Sequence, residues 1–309
     1  MNGIVFQING GISRRYVHLE PSQTVMASVL VTGGAGFIGT NLCRKLHSEG
    51  HHVISLDLNH KNDEKWECLT ADIRDDLQFE GIDYIVHLAA QVSVPQSIIN
   101  PEETLSINVD GTSSIISAAE ESGVKRILFA SSAAVYGDSD QIPTTEEAPL
   151  IPQSPYAVSK IVGEELLKRT KIETCSMRFF NVYGSKNSGQ SNYAAVIPAF
   201  TKAIEERTPC TVFGDGTQTR DFIHVDDLVK IIIRLIEIEE IPTEVNIATG
   251  KATSLLDLIK ILSSDLDRDC EINFEEPRDG DIHTSIADIS ILKNCIQEIE
   301  FISLSEGLR

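Results

Sequence analysis

The stretch from Val29 to Gly39 reads VLVTGGAGFIG, which is an apolar strand, a turn of glycines and the start of a helix. Gly33 permits a tight turn, Gly36 lets the backbone approach a pyrophosphate, and Gly39 allows a helix to pack closely on a strand. The N-terminus of such a helix offers free N–H groups and a positive dipole end to phosphate oxygens. The pattern therefore predicts a dinucleotide site in a strand–turn–helix unit.

The spacing of these glycines is GxxGxxG rather than GxGxxG, which indicates one branch of the dinucleotide-binding folds. Asp57 ends the next strand, 18 residues after Gly39. A carboxylate at that point accepts hydrogen bonds from an adenosine ribose and repels a 2′-phosphate, so the sequence favours NAD over NADP. The alternative is a tight structural turn followed by a surface aspartate.

Short apolar strands and helices alternate along the chain on both sides of this unit. The predicted strands include His52–Leu56, Tyr84–Val86, Arg126–Ala130 and Glu173–Phe180, and the predicted helices are Phe37–Ser48, Glu103–Glu121 and one that begins near Pro155. Such alternation predicts a parallel sheet covered on both faces. We expect an α/β fold with a Rossmann-type doubly wound sheet and a smaller, mixed C-terminal substrate lobe.

The domain organisation follows from where this alternation starts and weakens. Residues 1–26 form an N-terminal extension, either a docking arm or an upstream start, and residues 27–183 form the dinucleotide-binding domain with the catalytic residues. Residues 184–309 contribute mainly the substrate lobe, because glycine and aspartate turns replace the regular pattern there. Extended chains of this kind cross between lobes more than once, so the boundary at residue 183 is soft.

Composition excludes two classes of function. The 309 residues carry 26 Lys+Arg against 46 Asp+Glu, a formal net charge of −20, whereas a general nucleic-acid binder needs a basic face. A few convergent arginines can still make a local positive pocket for a small anion. No apolar run reaches the length of about 18 residues that a membrane helix needs.

The six cysteines show no CxxC pair, so we expect buried reduced thiols and no metal site. The N-terminus lacks a basic segment followed by a long apolar core, which is the pattern of a secretory signal. We therefore expect a cytoplasmic protein.

Catalytic chemistry is indicated by Tyr156 and Lys160, which lie four residues apart and so share a helix face. A free phenol has a pKa near 10, and lowering it by about 3 units needs about 4 kcal/mol. A neighbouring ammonium group and a cationic nicotinamide ring favour the phenolate, and a close cation in a dry site supplies energy of that order. Ser132 ends a predicted strand at the sheet edge where such folds bind ligands. On its own YxxxK is frequent, and its alternative is a structural pair.

Several motifs in order carry a family resemblance: TGGAGFIG, HLAAQVSV, NVDGT, SSAAVYG, SPYAVSK, RFFNVYG, FGDGTQTRDFIHVDD and NIATG. They resemble the extended short-chain dehydrogenase/reductase family. Within it they are most similar to the NAD-dependent nucleotide-sugar epimerases of the UDP-glucose 4-epimerase type. The likeness extends from Ala27 to Arg309.

The resemblance assigns roles to residues at matching positions. It implies a catalytic trio of Ser132, Tyr156 and Lys160. The implied NAD contacts are Gly33, Gly36, Phe37, Ile38, Gly39, Asp57, Asp72, Ile73, Leu88, Ala89, Ala90, Asn108, Tyr156, Lys160 and Phe179, although Asp72 and Ile73 by residue chemistry alone equally suit a surface turn. The implied contacts of a UDP-sugar are Ser132, Tyr156, Asn181, Val196, Phe213, Arg220, Arg278, Asp281 and Ser285, with Val196 and Phe213 around the uracil.

The same resemblance implies the reaction. Tyr156 as a phenolate takes the 4-OH proton while hydride leaves C4 for NAD, and the resulting 4-keto sugar turns over before the hydride returns. Relatives that eliminate water place an acid just after the catalytic hydroxyl, whereas this chain has Ala133 and Ala134. The small Ser285 stands at a position that limits sugar size, so we expect activity on UDP-N-acetylhexosamines as well as on UDP-glucose and UDP-galactose.

Alternatives remain within and outside this class of enzyme. They are a UDP-glucuronate 4-epimerase, another oxidoreductase or dehydratase acting on nucleotide sugars, and a non-catalytic NAD-binding sensor. The helices over Glu103–Glu121 and Tyr156–Thr170 resemble those that pair two subunits as a helix bundle, so a homodimer is expected, the alternative being that both only cover the sheet.

Overall fold

The computed structural model describes residues 6–8, 11–13, 27–60, 64–184, 196–277 and 282–309. The strands in these ranges are β1 (Phe6–Ile8), β2 (Gly11–Ser13), β3 (Ser28–Thr32), β4 (His52–Asp57), β5 (Glu67–Thr70), β6 (Tyr84–His87), β7 (Arg126–Ser132), β8 (Glu173–Phe179), β9 (Asn181–Tyr183), β10 (Cys210–Phe213), β11 (Thr219–His224), β12 (Glu244–Ile247), β13 (Ala252–Ser254) and β14 (Ile272–Glu275). The α-helices are α1 (Phe37–Ser48), α2 (Val94–Ile99), α3 (Pro101–Leu105), α4 (Gly111–Ser122), α5 (Pro155–Leu167), α6 (Val196–Glu206), α7 (Val225–Glu237), α8 (Leu255–Leu266), α9 (Ser290–Cys295) and α10 (Leu304–Gly307). Within the described ranges, none of these helices has both the length and the apolar composition to cross a bilayer.

A large sheet has the strand order β12-β8-β7-β6-β3-β4-β5. The register is parallel between β3 and β4, β3 and β6, β4 and β5, and β6 and β7. Because the order runs outward in both directions from β3, the sheet is doubly wound, and the predicted α/β class with a Rossmann-type sheet is confirmed.

The strands of this sheet are apolar because helices cover both of its faces and bury most of their side chains. Four of the five residues of β3 and six of the seven residues of β7 are buried. Isoleucines and leucines from strands and helices make one core, which includes Leu30, Ile54, Ile85, Ile115, Ile127 and Leu167. Complete burial of each such side chain stabilises the fold by about 1.5–3 kcal/mol.

The chain divides into two compact units. The first unit comprises Met1–Ser131, Ser154–Met177 and Ile232–Thr243, and the second comprises Ser132–Gln153, Arg178–Ile231 and Glu244–Arg309. The boundary expected at residue 183 therefore differs from these units, since residues 132–153 and 178–183 belong to the second and residues 232–243 to the first. The roles assigned to residues 27–183 and 184–309 remain predictions.

The second unit has its own small sheets. In one, β11 pairs with β9 in parallel and with β13 in antiparallel register, and in the other β10 pairs with β14 in parallel. This mixture agrees with the loosened pattern of the C-terminal sequence. In the expected N-terminal extension, the described residues form an antiparallel pair of β1 with β2.

The helix expected over Glu103–Glu121 is divided into three segments. A π-helical turn, Ser106–Asp110, separates α3 from α4. The wider turn directs Asn108 inward, where it is 2% exposed, and Thr112 in the next turn donates to the Asn108 carbonyl at 2.6 Å. Such turns occur frequently at functional sites. The C-terminal end of α4 is as expected, because Gly123 closes it in the left-handed conformation with φ of +71°.

Arg126 anchors the start of β7. Its Nη1 donates to the carbonyls of Leu235, Ile236 and Ile238 at 2.6–3.2 Å, at the end of α7. Its Nε donates to Glu173 Oε2 at 2.7 Å. The buried guanidinium thus satisfies carbonyls at the end of α7 that have no intrahelical partner. These bonds also anchor the first residue of β7, the strand that ends at Ser132.

Candidate active site

The glycine turn after β3 has the geometry of a phosphate cradle. Gly33 has φ of +69° and donates to the Leu56 carbonyl at 2.8 Å. A Cβ on Gly33 would lie 2.8 Å from the Ala89 nitrogen, whereas one on Gly36 would meet only the Gly33 carbonyl oxygen, at 3.1 Å. Gly33 is therefore required by packing, while the space in front of Gly36 is open to a ligand.

The first turn of α1 continues this cradle. The helix begins after Gly36, which provides no side-chain cap, and its first turn contains no acidic residue. Its N–H groups and positive dipole end favour an anion. Ile38 is 5% exposed, and a Cβ on Gly39 would clash with the Gly33 carbonyl oxygen, so the helix lies tightly on the turn.

Asp57 lies at the end of β4, beside the same turn. Its Oδ2 accepts from the Ala35 N–H at 3.1 Å and its Oδ1 from the Leu58 N–H at 2.8 Å. These two N–H groups hold the carboxylate in place. The remaining lone pairs of the carboxylate can accept hydrogen bonds from the hydroxyl groups of a ribose.

A chain of buried hydrogen bonds supports the segment that follows β6, next to the glycine turn. Thr32 Oγ1 lies 2.6 Å from His87 Nδ1, and His87 Nε2 lies 3.0 Å from Thr112 Oγ1. Since Thr112 donates its hydrogen to the Asn108 carbonyl, it accepts from Nε2–H, and Thr32 donates to Nδ1. Burial, helped by the positive charge of Lys160, lowers the pKa of His87 to about 3, so the ring is a neutral structural link.

The segment Leu88–Ala90 is held against the glycine turn by the same chain. The Ala89 N–H donates to Thr32 Oγ1 at 3.2 Å, and Leu88 N–H donates to the Thr32 carbonyl at 3.1 Å. The structure therefore brings Gly33 and Ala89 together, as the sequence-based assignment of both to one ligand requires.

Asn108 connects this segment to α5. Its Oδ1 accepts from the Gln91 N–H at 2.7 Å, and its Nδ2 donates to the Gln91 carbonyl at 3.0 Å and to Ser159 Oγ at 2.9 Å. Both donor hydrogens are therefore used within the protein. These bonds show that Asn108 holds neighbouring segments in place, and its expected contact with the cofactor stays a prediction.

Tyr156 and Lys160 lie on the first two turns of α5. The helix begins at Pro155, and Ser154 caps it by accepting from the Ala157 N–H at 3.2 Å. Both side chains are buried, with exposures of 4% and 3%. Lys160 Nζ lies 5.7 Å from the centre of the Tyr156 ring and donates to the Ala130 carbonyl at 2.8 Å. The two side chains therefore lie close together on one face of α5, and their catalytic role stays a prediction.

Burial lowers the pKa of Lys160 to about 7, and the negative charge of Glu164 partly opposes this shift. The protonated form of the amine is therefore less favoured here than in water. Glu164 lies four residues after Lys160, is 1% exposed and accepts a short hydrogen bond from Ser131 Oγ. Glu164 was not among the expected site residues, although its i, i+4 spacing from Lys160 is a signal for it in the sequence.

The other expected cofactor contacts differ in their burial and in their polar partners. Asp72 forms an ion pair with Arg74 at 2.7 Å, and this hydrogen bond lowers the pKa of the Asp72 carboxyl group. Ile73 is 5% exposed and packs against Gly111, where a Cβ would lie 2.5 Å from Ile73 Cδ1. The Ile73 side chain thus belongs to the core, which leaves backbone atoms for a ligand. Phe37 is half-buried and Phe179 is buried.

In the second unit, Ser132 ends β7 and caps the short 3₁₀ turn Ala133–Tyr136. Its Oγ accepts from the Ala134 N–H at 3.2 Å, so its own hydrogen can be donated to a ligand oxygen. Ala133 and Ala134 are half-buried and offer only methyl groups.

The small sheet of the second unit brings three expected substrate contacts together. Asn181 on β9 is paired with Phe222 on β11, so it lies on the same face as Arg220, two residues earlier. The Ser285 N–H donates to the Thr219 carbonyl at 3.1 Å, which places Ser285 beside β11. These three side chains are half-buried.

Asp221 holds this part of the second unit in place. The carboxylate, 0% exposed, accepts from Thr249 Oγ1 at 2.7 Å, from the N–H groups of Thr249 and Gly250 at 2.9 Å, and from the Ala287 N–H at 3.4 Å. Burial raises its pKa, and the hydrogen bonds with Thr249 partly offset this effect. Asp221 was not among the expected site residues, because a single aspartate in a strand gives no sign of donors that are distant in the sequence.

An open cleft of about 770 Å³ in the second unit is lined by Phe213, Gln218, Phe274, Glu275, Pro277 and Ile282, among others. Phe213 is fixed there by the Gln218 amide, which donates to its carbonyl at 2.6 Å. Val196 begins α6 and packs at the margin of the local core. Arg278 and Asp281 lie outside the described residues, between Pro277 and Ile282.

Comparison with known proteins adds independent evidence. The model of the NAD dependent epimerase/dehydratase family matches residues 29–248. A putative UDP-glucose 4-epimerase of Methanocaldococcus jannaschii is 36% identical over 296 residues, which cover 91% of this chain and 96% of the relative.

Two solved structures of UDP-sugar 4-epimerases are also similar to this chain. A UDP-N-acetylglucosamine 4-epimerase from Methanobrevibacter ruminantium, in complex with UDP-N-acetylmuramic acid, has a TM-score of 0.84 and 33% identity, and the match covers 93% of this chain and 97% of the other. A UDP-glucose 4-epimerase from Thermotoga maritima, with UDP-glucose, has a TM-score of 0.80 and 30% identity, with 91% and 96% covered.

The link between Glu164 and Lys160 is open to a direct test. Because the charge of Glu164 favours the protonated amine, Glu164→Gln lowers the pKa of Lys160 by about 1–3 units. The measurement is a titration of the Lys160 side-chain ¹³Cε signal by NMR. Glu165→Gln is the control, since Glu165 is 52% exposed and pairs with Lys168 at the surface. Identical Lys160 titrations in the wild-type protein and Glu164→Gln would contradict the assignment.

Proposed function

This chain belongs to the NAD-dependent epimerase/dehydratase family, and we propose that it is a UDP-hexose 4-epimerase with NAD as its resident cofactor. The named activities of relatives that match nearly the whole chain support this reaction. The retained Tyr156–Lys160 pair is the observation that carries the proposal.

The first unit has groups that suit each part of NAD. The open backbone at Gly36 and the uncapped N-terminus of α1 suit the pyrophosphate. Asp57 suits the hydroxyl groups of the adenosine ribose and disfavours a 2′-phosphate. Ala89, backed by Thr32, provides a small side chain for a flat ring to lie against.

When bound, NAD supplies a reversible hydride acceptor for C4 of the sugar. The phenolate of Tyr156 takes the proton of the 4-hydroxyl group and later returns it. Lys160, protonated next to the carboxylate of Glu164, stabilises this phenolate. Ser132 donates its hydrogen to the C4 oxygen, because its Oγ already accepts from Ala134.

Inversion requires that the sugar can turn while the nucleotide remains bound. Arg220 and Arg278 suit the diphosphate because guanidinium groups donate bidentate hydrogen bonds. Asn181 and Asp281 extend the nucleotide-sugar site, and Val196 with Phe213 surround the uracil. Asp221, the residue after Arg220 in β11, accepts hydrogen bonds from Thr249 and Gly250. These bonds anchor the part of the strand that carries Arg220.

Two alternatives are disfavoured by particular side chains. A dehydratase needs an acid to eliminate water, whereas the residues after Ser132 are Ala133 and Ala134. A non-catalytic NAD sensor has no use for a buried phenol and amine, and keeping Lys160 buried costs free energy because its charged form is desolvated. UDP-glucuronate remains a competing substrate.

We also place the enzyme in the cytoplasm and infer a homodimer. Six free thiols, of which Cys43, Cys175 and Cys210 are buried, support a reducing compartment. The dimer is supported by exposed apolar side chains on neighbouring helices of the first unit: Ile98 (63%), Ile99 (76%), Leu105 (37%) and Val158 (40%). A second helix pair would cover them as a bundle.

Replacing the phenol tests the mechanism. Tyr156→Phe lowers kcat by about 10²–10⁴-fold because no base remains for the 4-hydroxyl proton. The measurement is NMR of products from UDP-galactose, UDP-N-acetylgalactosamine and UDP-glucuronate, with bound NAD determined after protein precipitation. Equal rates in wild type and variant, with full NAD content, would falsify the proposal. Wild-type turnover of UDP-glucuronate alone would replace the UDP-hexose assignment.

The Ser285 position tests substrate size. Ser285→Tyr narrows the sugar pocket, so activity on UDP-N-acetylgalactosamine falls by about tenfold or more while activity on UDP-galactose is retained. Ser285→Ala is the matched control and keeps both activities. The role of Ser285 is wrong if the tyrosine variant lowers both activities by the same factor, or neither.

The helix surface tests the dimer. The double substitution Leu105→Glu and Val158→Glu buries two charges in the inferred interface and yields a monomer in size-exclusion chromatography with light scattering. Ile142→Glu is the control, because Ile142 is 52% exposed and lies in the second unit. A wild-type monomer, or an unchanged dimer in the double variant, contradicts the inferred interface.

A further inference from the structure

Three metal-binding side chains meet at the edge of the large sheet and have no part in the proposed reaction. His60 follows β4, Glu64 precedes β5, and Cys68 lies on β5, the last strand of the sheet. One nitrogen, one oxygen and one sulfur atom of these residues lie within 4.8 Å of one another. The His60 and Glu64 side chains are only 8% and 7% exposed.

The His60 and Cys68 side chains both contact the same carboxylate oxygen of Glu64. Glu64 Oε2 is 3.2 Å from His60 Nδ1 and 2.8 Å from Cys68 Sγ. With metal–ligand bonds of about 2.0–2.3 Å, neighbouring ligands of a tetrahedral zinc ion lie roughly 3.3–3.7 Å apart. For these atoms to form three corners of a tetrahedron, the distance from Glu64 Oε2 to Cys68 Sγ has to lengthen by roughly 0.5–0.9 Å, and that from Glu64 Oε2 to His60 Nδ1 by less.

The ring of His60 is already oriented as a ligand. Its Nε2 lies 3.1 Å from the Leu69 carbonyl, which can only accept, so Nε2 carries the hydrogen. In the neutral ring this leaves the lone pair of Nδ1 directed at Glu64. A carbonyl that fixes the far nitrogen of a histidine is the usual support for a metal-binding imidazole. The competing arrangement is a protonated His60 paired with Glu64.

We propose that His60 Nδ1, Glu64 Oε2 and Cys68 Sγ bind one zinc ion, with water as the fourth ligand. Thiolate and imidazole donors select zinc over magnesium or calcium, which prefer oxygen ligands. The Cys68 thiol loses its proton to solvent as the Zn–S bond forms, so thiolate, carboxylate and Zn²⁺ together are neutral. The ion would join the connection after β4 to β5, where Leu56 and Leu69 are paired.

Zinc and cobalt measure this site without reference to enzyme activity. The full-length protein, loaded with zinc and passed through gel filtration, retains one zinc per chain by mass spectrometry of the metal. Cobalt in place of zinc gives a thiolate-to-cobalt charge-transfer band, and it quenches the fluorescence of Trp66, the one tryptophan of the chain. The Trp66 carbonyl lies 3.7 Å from Cys68 Sγ, so this signal is local.

Matched variants separate this site from other thiols. Cys68→Ser abolishes the charge-transfer band and stoichiometric zinc, whereas Cys295→Ser, which changes another half-buried thiol, keeps both. His60→Gln keeps the thiol and lowers zinc affinity by tenfold or more, so it provides a second test should Cys68→Ser fold poorly. Circular dichroism and NAD content verify the fold of each variant.

Two results would overturn the site. One is wild-type protein without stoichiometric zinc and without a cobalt band, which identifies the cluster as a His60–Glu64 ion pair. The other is zinc that Cys68→Ser and His60→Gln both retain with wild-type affinity, which places the ion elsewhere.

Discussion

The amine of Lys160 is the constraint around which the first unit is organised. Removing it from water disfavours its charge, and the groups around it compensate: the carbonyl at the end of β7 accepts its hydrogen bond and Glu164 supplies the opposite charge. Glu164 is in turn satisfied by Ser131 on that strand. The end of β7 and two turns of α5 thus provide the hydrogen-bond acceptor and the opposite charge that a buried amine needs.

The polar chain from Thr32 to Ser159 complements this arrangement. Each hydroxyl or amide in it both donates and accepts, so the glycine turn, the end of β6, the π-helical turn and α5 are connected by hydrogen bonds. His87 carries no charge in this chain, which is consistent with its burial near a cation. Such fully satisfied networks specify one arrangement of the core, whereas a partly satisfied one would be costly.

The sequence predicted the features that depend on local patterns, such as helix bounds and the spacing of residues on one helix face. The helix Phe37–Ser48 has the expected bounds, because glycine and amphipathic signals coincide there, and the pairing of Tyr156 with Lys160 follows from helical spacing. Long-range pairing was not accessible: Asp221 acquires its donors from residues 249, 250 and 287, and the division of the long helix around Asn108 depends on tertiary hydrogen bonds. The expectation of no metal rested on the absence of CxxC pairs, and that pattern does not detect a cluster with a single thiol, such as the proposed site at His60.

The π-helical turn between α3 and α4 amounts to one additional residue in an otherwise continuous helix. Each residue of an α-helix advances the side-chain direction by about 100°. A π-turn absorbs its additional residue locally, so the residues of α4 keep the direction of a continuous helix, and Ile115 and Ile116 remain in the core. Deleting one residue of this turn would restore regular α-helical hydrogen bonds without changing the core, and it would remove only the inward position of Asn108.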